Sequence, residues 1–371
     1  MTIEQVELRR IRLPLVSPFR TSASGIESRD VLLVRVITPE AEGWGECAAM
    51  NEPLYSPEYT EGAHAVMRQH LVPRLLQQPD LPATEVGRFL APVKGHLMAK
   101  AALESAVLDA ELRAAGLPLA TYLGGTAEAV VVGVSVGLTR SVGELIRAVE
   151  DYLAEGYQRV KLKIEPGWDV GPVAAVRRQF PDLALQVDAN EAYTLADSSH
   201  LADLDEFNLV MIEQPLAADD LPAHAELARR LRTPICLDES ITSARVARQA
   251  IELGATAIVN IKPGRVGGYL EARRVHDVCR EHEVPAWCGG MLETGIGRAA
   301  NLALAALPGF TLPGDISASR RYFARDVTPP FELLPGGQLA VPSGPGIGVE
   351  VDEGVLDEVT TGVERLRPAP S

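Results

Sequence analysis

Five ionisable residues recur at an almost constant interval: Lys163, Asp188, Glu213, Asp238 and Lys262, with gaps of 25, 25, 25 and 24 residues. Each closes or nearly closes a short apolar run: Arg159-Val-Lys-Leu-Lys-Ile164, Leu183-Ala-Leu-Gln-Val-Asp188, Leu209-Val-Met-Ile-Glu213, Pro234-Ile-Cys-Leu-Asp238 and Ala257-Ile-Val-Asn-Ile-Lys262. The stretches between the runs carry helical periodicity. A strand of about six residues, a helix of about twelve and two short loops make one βα unit of that length. Consecutive units build a parallel sheet through right-handed crossovers. A long enough series closes into a TIM barrel, whose chemistry sits at the C-terminal ends of its strands. The interval therefore places five ionisable side chains around one rim.

Counting outward from these runs, strand 1 is expected over 130–138, strands 2 to 6 at the runs themselves, strand 7 over 284–290 and strand 8 over 310–314. Helices are expected to open near Ser141, Asp169, Thr194, Asp219, Ser243, Gly268 and Thr294, several of them favoured N-caps. The predicted fold is α/β, a (β/α)7β modified TIM barrel over residues 126–316. Residues 1–125 read differently. Segments 3–13, 31–37 and 43–48 are strand-like, and 58–76, 84–90 and 96–115 are helical, the last Ala-rich and stopping at Gly116. This is an α+β module, with its boundary at Gly124-Gly125. The Pro- and Gly-rich segment 317–371 is expected to pack back on it, so that both ends of the chain build a capping domain. Two loops of the module, 17–25 and 50–55, read about equally well as ordinary surface loops or as a lid over the barrel mouth.

At 371 residues the chain suits a barrel plus a smaller domain, and its 46% hydrophobic content allows a large core. A net charge of −15 without a Lys/Arg cluster argues against a nucleic-acid surface. No apolar stretch reaches bilayer length, so no membrane partner is expected. The first ten residues lack an apolar signal core, and the four cysteines (Cys47, Cys236, Cys279, Cys288) show no C-x-x-C pairing. Reduced core thiols in a cytoplasmic protein are expected.

Asp188, Glu213 and Asp238 fall on adjacent strands. Three carboxylates so close repel one another unless a cation sits among them, and a hard divalent ion such as Mg²⁺ is the natural answer. Asn190, two residues past Asp188, could orient a ligand or a water. Three solvated strand-end acids are the bland alternative, disfavoured because all three keep phase with the barrel. Lys161 and Lys163 point to the same side of strand 2, where two ammonium groups should depress each other's pKa and burial should add to that. Lys262, on strand 6, faces strand 2 across an eight-stranded barrel. A cation that binds a substrate carboxylate, with lysines on two sides, can support removal of the α-proton, stabilisation of an enediolate and return of a proton on either face.

The motifs Lys161-Leu-Lys163, Asp188-Ala-Asn190, Glu213-Gln-Pro215, Asp238-Glu-Ser240 and Lys262-Pro-Gly resemble those of the enolase superfamily, in its muconate-lactonising-enzyme-like subgroup. Four longer motifs are similar to the N-acylamino-acid racemase / o-succinylbenzoate synthase family: Ile164-Glu-Pro-Gly-Trp-Asp-Val, Asn190-Glu-Ala-Tyr-Thr-Leu, Gly264-Arg-Val-Gly-Gly-Tyr-Leu and Trp287-Cys-Gly-Gly-Met-Leu-Glu-Thr-Gly-Ile-Gly. The resemblance covers essentially the whole chain. It implies Asp188, Glu213 and Asp238 as Mg²⁺ ligands, with Mn²⁺ or Co²⁺ able to substitute and Glu239 behind them. It implies Lys163 and Lys262 as the acid/base pair and Lys161 as their electrostatic neighbour. Phe19, Met50 and Tyr55 on the loops, Ser135 on strand 1, Asn190, and Gly290-Met291 after strand 7 are expected at the substrate. The implied activity is racemisation of N-acyl (N-succinyl) amino acids, dehydration to o-succinylbenzoate in menaquinone synthesis, or both. The implied partners are a small carboxylate with a succinyl-like or N-acyl tail and further copies of the chain. A dipeptide epimerase of the same superfamily ranks lower: those enzymes hold an ammonium with Asp-x-Asp after strand 8, and here the position reads Asp315-Ile-Ser317. Arg320-Arg321 receives no role.

Overall fold

A computed structural model of the chain describes residues 1–20 and 25–368. The middle of the expected lid segment 17–25, residues 21–24, lies outside the described residues. Around it the chain is a hairpin rather than a loop: Gln5–Arg20 pairs antiparallel with Gly25–Ile37, and Phe19 stands opposite Ile26. Glu42–Cys47 and the late strand Thr360–Leu366 complete a four-stranded antiparallel sheet. The pairing with Thr360–Leu366 shifts between Arg10 and Ile11. The buried phase shifts at the same point, from Val6 and Leu8 to Ile11 and Leu13. The extra residue is Thr361 of the late strand, left unpaired in a β-bulge, while the pairing of Gln5–Arg20 with Gly25–Ile37 runs through this point without a shift.

Helix Leu97–Ala114 packs on this sheet at unusually short range. A Cβ on Gly43 would stand 2.1 Å from the Ala106 carbonyl oxygen, and one on Gly45 2.0 Å from that of Ala102. Two glycines facing an Ala-rich helix let the backbones meet, which explains the alanines of that segment. The expected helix over 58–76 runs from Thr60 to Leu75 with a π-helical stretch at Met67–Leu71.

The second unit is a sheet of seven parallel strands in chain order: Val134–Val136, Arg159–Lys163, Ala184–Asp188, Ile212–Glu213, Ile235–Leu237, Ile258–Ile261 and Ala286–Cys288 (barrel strands 1 to 7). The expected strand 8 is reduced to two parallel bridges, Ala286 with Phe310 and Val132 with Gly314, which close the barrel between strands 7 and 1. Pro313 lacks an amide hydrogen and cannot join a continuous ladder there.

Two expectations need correction. The run 130–138 is not one strand. Ala129–Val131 pairs antiparallel with Gln338–Ala340, and only Val134–Val136 enters the barrel. The break falls at Gly133, where a Cβ would lie 2.3 Å from Arg159 Cζ. The helix expected from Thr194 is three short pieces, Leu195–Asp197, Ser198–Leu201 and Ala202–Phe207, of which only the middle one is α-helical. Its Asp and Ser side chains compete with the helix for backbone partners. Elsewhere the caps hold: Ser141, Asp169, Ser243 and Thr294 each accept a hydrogen bond at a helix start, and Asp220 rather than Asp219 caps Leu221–Arg230. No helix among the described residues is long and apolar enough to cross a membrane.

Candidate active site

Parallel register brings the evenly spaced residues to one level. Lys163 pairs with Asp188 across strands 2 and 3, and Asp188 with Glu213 across strands 3 and 4. Glu213 then pairs with Cys236, two residues before Asp238. All three acids are fully buried. The turns that follow are held in left-handed backbone: Asn190 at φ 42°, Glu191 at 67° and Gln214 at 37°. Non-glycine residues pay strain in that region, and such residues cluster at functional sites. Gln214 has a local reason. Its Oε1 accepts from the Asp238 and Ser240 amides at 3.0 and 3.2 Å, so it organises the turn after strand 5.

Three lysines meet these acids. Lys161 Nζ lies 2.6 Å from Asp315 Oδ2, 2.9 Å from Glu213 Oε2 and 3.1 Å from Asp188 Oδ2. Lys163 donates to Asp188 Oδ2 at 2.7 Å and to Asn190 Oδ1 at 2.6 Å. Lys262 donates to Asp238 Oδ2 and to the Tyr55 hydroxyl, both at 2.8 Å. The expected mutual depression of the strand-2 lysines does not describe Lys161. Burial works against its charge, but Asp315, Glu213 and Asp188 together outweigh burial and hold it well above its ordinary pKa. Burial, followed by the Asp188 charge, pushes Glu213 up to about 8. Burial also opposes the Asp238 charge, yet Arg265 and Lys262 prevail and hold its carboxyl well below the usual range. Glu239 is pushed up to about 7 by burial and by Asp238.

Among the described residues the acids do not close on one point. Lys161 stands between Asp188 and Glu213, while Lys262 and Arg265 hold Asp238. The donor set nevertheless fits a hard divalent cation. It offers three buried carboxylates on consecutive strands, and a further buried carboxylate oxygen, Glu239 Oε2, has no partner.

Above the acids lies a concave cavity, the usual form of a small-molecule site. Lys161, Lys163 and Lys262 all line it, and so do Phe19, Met50, Tyr55, Ser135, Gly290 and Met291. Ser135 Oγ is buried there without a partner. Asn190 is not in the cavity wall; its side-chain amide bridges Lys163 and Glu239, donating to Glu239 Oε1 at 2.9 Å. Sequence reasoning missed several residues. Ile26, Leu292, Tyr322 and Asp315 also line the cavity. Arg265 donates to Asp238 Oδ1 at 3.2 Å and to the Tyr55 hydroxyl; its signal was its place one helical turn after Lys262. Arg321 donates to the Ser135 carbonyl at 3.0 Å, and its guanidinium lies 5.0 Å from the Tyr322 ring centre and 5.8 Å from that of Phe19. Arg320 forms a surface pair with Glu155.

Comparisons with known proteins agree with this geometry. Residues 4–124 match the family described as mandelate racemase / muconate lactonizing enzyme, N-terminal domain, and residues 144–355 the family described as enolase C-terminal domain-like. The N-succinylamino acid racemase of Amycolatopsis sp is 60% identical over 97% of this chain and 98% of its own. The o-succinylbenzoate synthase of Geobacillus kaustophilus is 48% identical over 97% and 96%. A crystal structure of an enolase-superfamily member from Listeria innocua superposes with a TM-score of 0.95 at 42% identity, covering all of both chains. An L-Ala-D/L-Glu epimerase of Bacillus subtilis is more distant, at 26% identity over 94% of this chain and 97% of its own. The chain belongs to the mandelate racemase / muconate lactonizing enzyme family of the enolase superfamily, and is an enzyme of that family.

Proposed function

We propose that this enzyme racemises N-acylamino acids, above all N-succinyl ones, and dehydrates the related cyclohexadiene carboxylate to o-succinylbenzoate. The observation that carries the reading is the placement of Lys163 and Lys262: they come from barrel strands 2 and 6, are held by different carboxylates, and line one cavity. For a given enantiomer one lysine takes the α-proton, and the other returns a proton to the opposite face. Elimination uses the same proton removal; the protonated lysine then returns that proton to the β-hydroxyl, whose C–O bond breaks as it leaves as water. Lys161 presents its ammonium to the substrate carboxylate. Asn190 and Tyr55 orient Lys163 and Lys262 through their hydrogen bonds.

Asp188, Glu213 and Asp238 would hold Mg²⁺, with Mn²⁺ or Co²⁺ as substitutes, and Glu239 would support them. A divalent cation there would neutralise the substrate carboxylate and the charge that grows as the α-proton leaves. Phe19, Met50, Ser135, Gly290 and Met291 would receive the side chain and acyl tail. Residues 1–125 with 317–371 would form the cap and 126–316 the barrel. A cytoplasmic location suits the four buried free thiols.

The dipeptide epimerase reading is weaker, because the Asp315 carboxylate is already paired with Arg159 and Lys161. The test is α-proton exchange into D₂O with Mg²⁺ present, together with kcat/KM for N-succinyl-, N-acetyl- and free phenylalanine and for an Ala-Glu dipeptide. N-succinyl is expected to exceed N-acetyl, and the free amine to react poorly. An apolar pocket discriminates side chains by only about 1–3 kcal/mol per methylene, so broad acceptance of hydrophobic amino acids is expected. A preferred dipeptide would overturn the reading.

A further inference from the structure

Asp315 lies just past the bridges of barrel strand 8 and lines the cavity. Its two oxygens serve two cations: Oδ1 accepts from Arg159 at 2.6 Å, and Oδ2 stands 2.6 Å from Lys161 Nζ. Arg159 also donates to the Pro313 carbonyl at 2.6 Å, so its guanidinium fastens the 313–315 segment at two points. The surroundings are shaped to this set. Gly133 makes room for the Arg159 guanidinium, and the Trp287 ring centre lies 5.4 Å from Arg159 Cζ and 4.9 Å from Lys161 Nζ. Arg159, Lys161 and Trp287 are all but inaccessible, and Asp315 is 8% exposed.

Lys161 has three acidic neighbours, and two of them, Asp188 and Glu213, are cation ligands in the function proposed above. A cation on those oxygens takes counter-charge from Lys161 and repels its ammonium. Asp315 is the nearest of the three and belongs to no proposed ligand set. We propose that Asp315, pinned by Arg159, is the positioning residue that anchors Lys161 when the cation is bound. It keeps the ammonium beside the substrate carboxylate and out of competition with the cation. The inference rests on the proposed function, because it needs a cation at Asp188 and Glu213.

The test is Mn²⁺ binding to the full-length protein, followed by calorimetric titration without substrate. Removing a supporting partner of a metal site commonly weakens metal binding 10–100-fold. Asp315→Asn is expected to fall in that range, because Lys161 then stays on Asp188 and Glu213. Asp315→Glu should recover most of the affinity. Arg320→Ala, which loses only a surface ion pair with Glu155, should leave it unchanged. A folded Asp315→Asn protein with wild-type affinity would confine Asp315 to a structural role and overturn the proposal. If that variant does not fold, Arg159→Lys takes its place, with weakened binding supporting the proposal and unchanged binding overturning it. A wild-type protein that binds no Mn²⁺ would overturn the proposed function and this inference together. A wild-type protein that binds it, beside an unaffected variant, overturns this inference alone.

Discussion

The Tyr55 hydroxyl lies 2.8 Å from Lys262 Nζ and 3.1 Å from Asp238 Oδ2, so a residue from outside the seven-stranded sheet touches both a proposed base and a proposed metal ligand. Arg265 donates to the same hydroxyl. Tyr55 therefore lines the cavity and accepts a hydrogen bond from Lys262. Tyr55→Phe leaves these buried donors and acceptors without their partner, a loss of about 1–3 kcal/mol. Turnover of N-succinyl-phenylalanine should fall by roughly 10- to 100-fold in steady-state assays. Wild-type kcat in a folded Tyr55→Phe enzyme would refute the assignment.

The carboxylate set predicts dependence on a divalent cation. EDTA should abolish activity, and Mg²⁺ or Mn²⁺ should restore it. Asp238→Asn removes one charge from the set and should weaken Mn²⁺ binding, measured by titration. Full activity in a rigorously metal-free sample would end the metal reading.

The two lysines should be separable by stereochemistry. Lys163→Ala and Lys262→Ala should each lower racemisation by about 10²- to 10⁴-fold, the usual contribution of a positioned acid or base. Each variant should still exchange the α-proton of one enantiomer, and the two variants opposite ones, as seen by proton NMR in D₂O. Near wild-type racemisation by Lys262→Ala would refute the two-base mechanism.

Away from the site, Glu46 predicts a pH dependence of stability. Burial, followed by the Glu293 charge, pushes its carboxyl up to about 7, although it accepts bonds from Thr294 and Gly297 at a helix start. The folded pKa is above the ordinary one, so the folded protein holds this proton more tightly. The group's contribution is fully present below its ordinary pKa of about 4.5 and is lost as pH rises through 7. Glu46→Gln should flatten the change in urea midpoint between those values. An unchanged pH profile in that variant would show that Glu46 does not titrate there.

Short-range signals determined the barrel's period, the strand ends and most helix starts. Each depends on residues a few positions apart: apolar runs closed by an ionisable residue, and caps such as Ser141, Ser243 and Thr294. The rim was legible for the same reason, because parallel register turns a 25-residue interval into adjacency on neighbouring strands. The partners of the rim residues were not legible. Lys161 meets Asp315, Lys262 meets Tyr55 and Arg159 meets Asp315 across more than 150 residues of sequence. No local pattern encodes such pairs; they exist only once the barrel closes and Tyr55 meets its rim. The break at Gly133 has the same origin, since a glycine there has meaning only beside the Arg159 guanidinium. The direction of the Lys161 shift follows as well. From sequence its nearest charge is Lys163, whereas in the fold three carboxylates reach it first, and at such distances in a buried site the nearer opposite charges win.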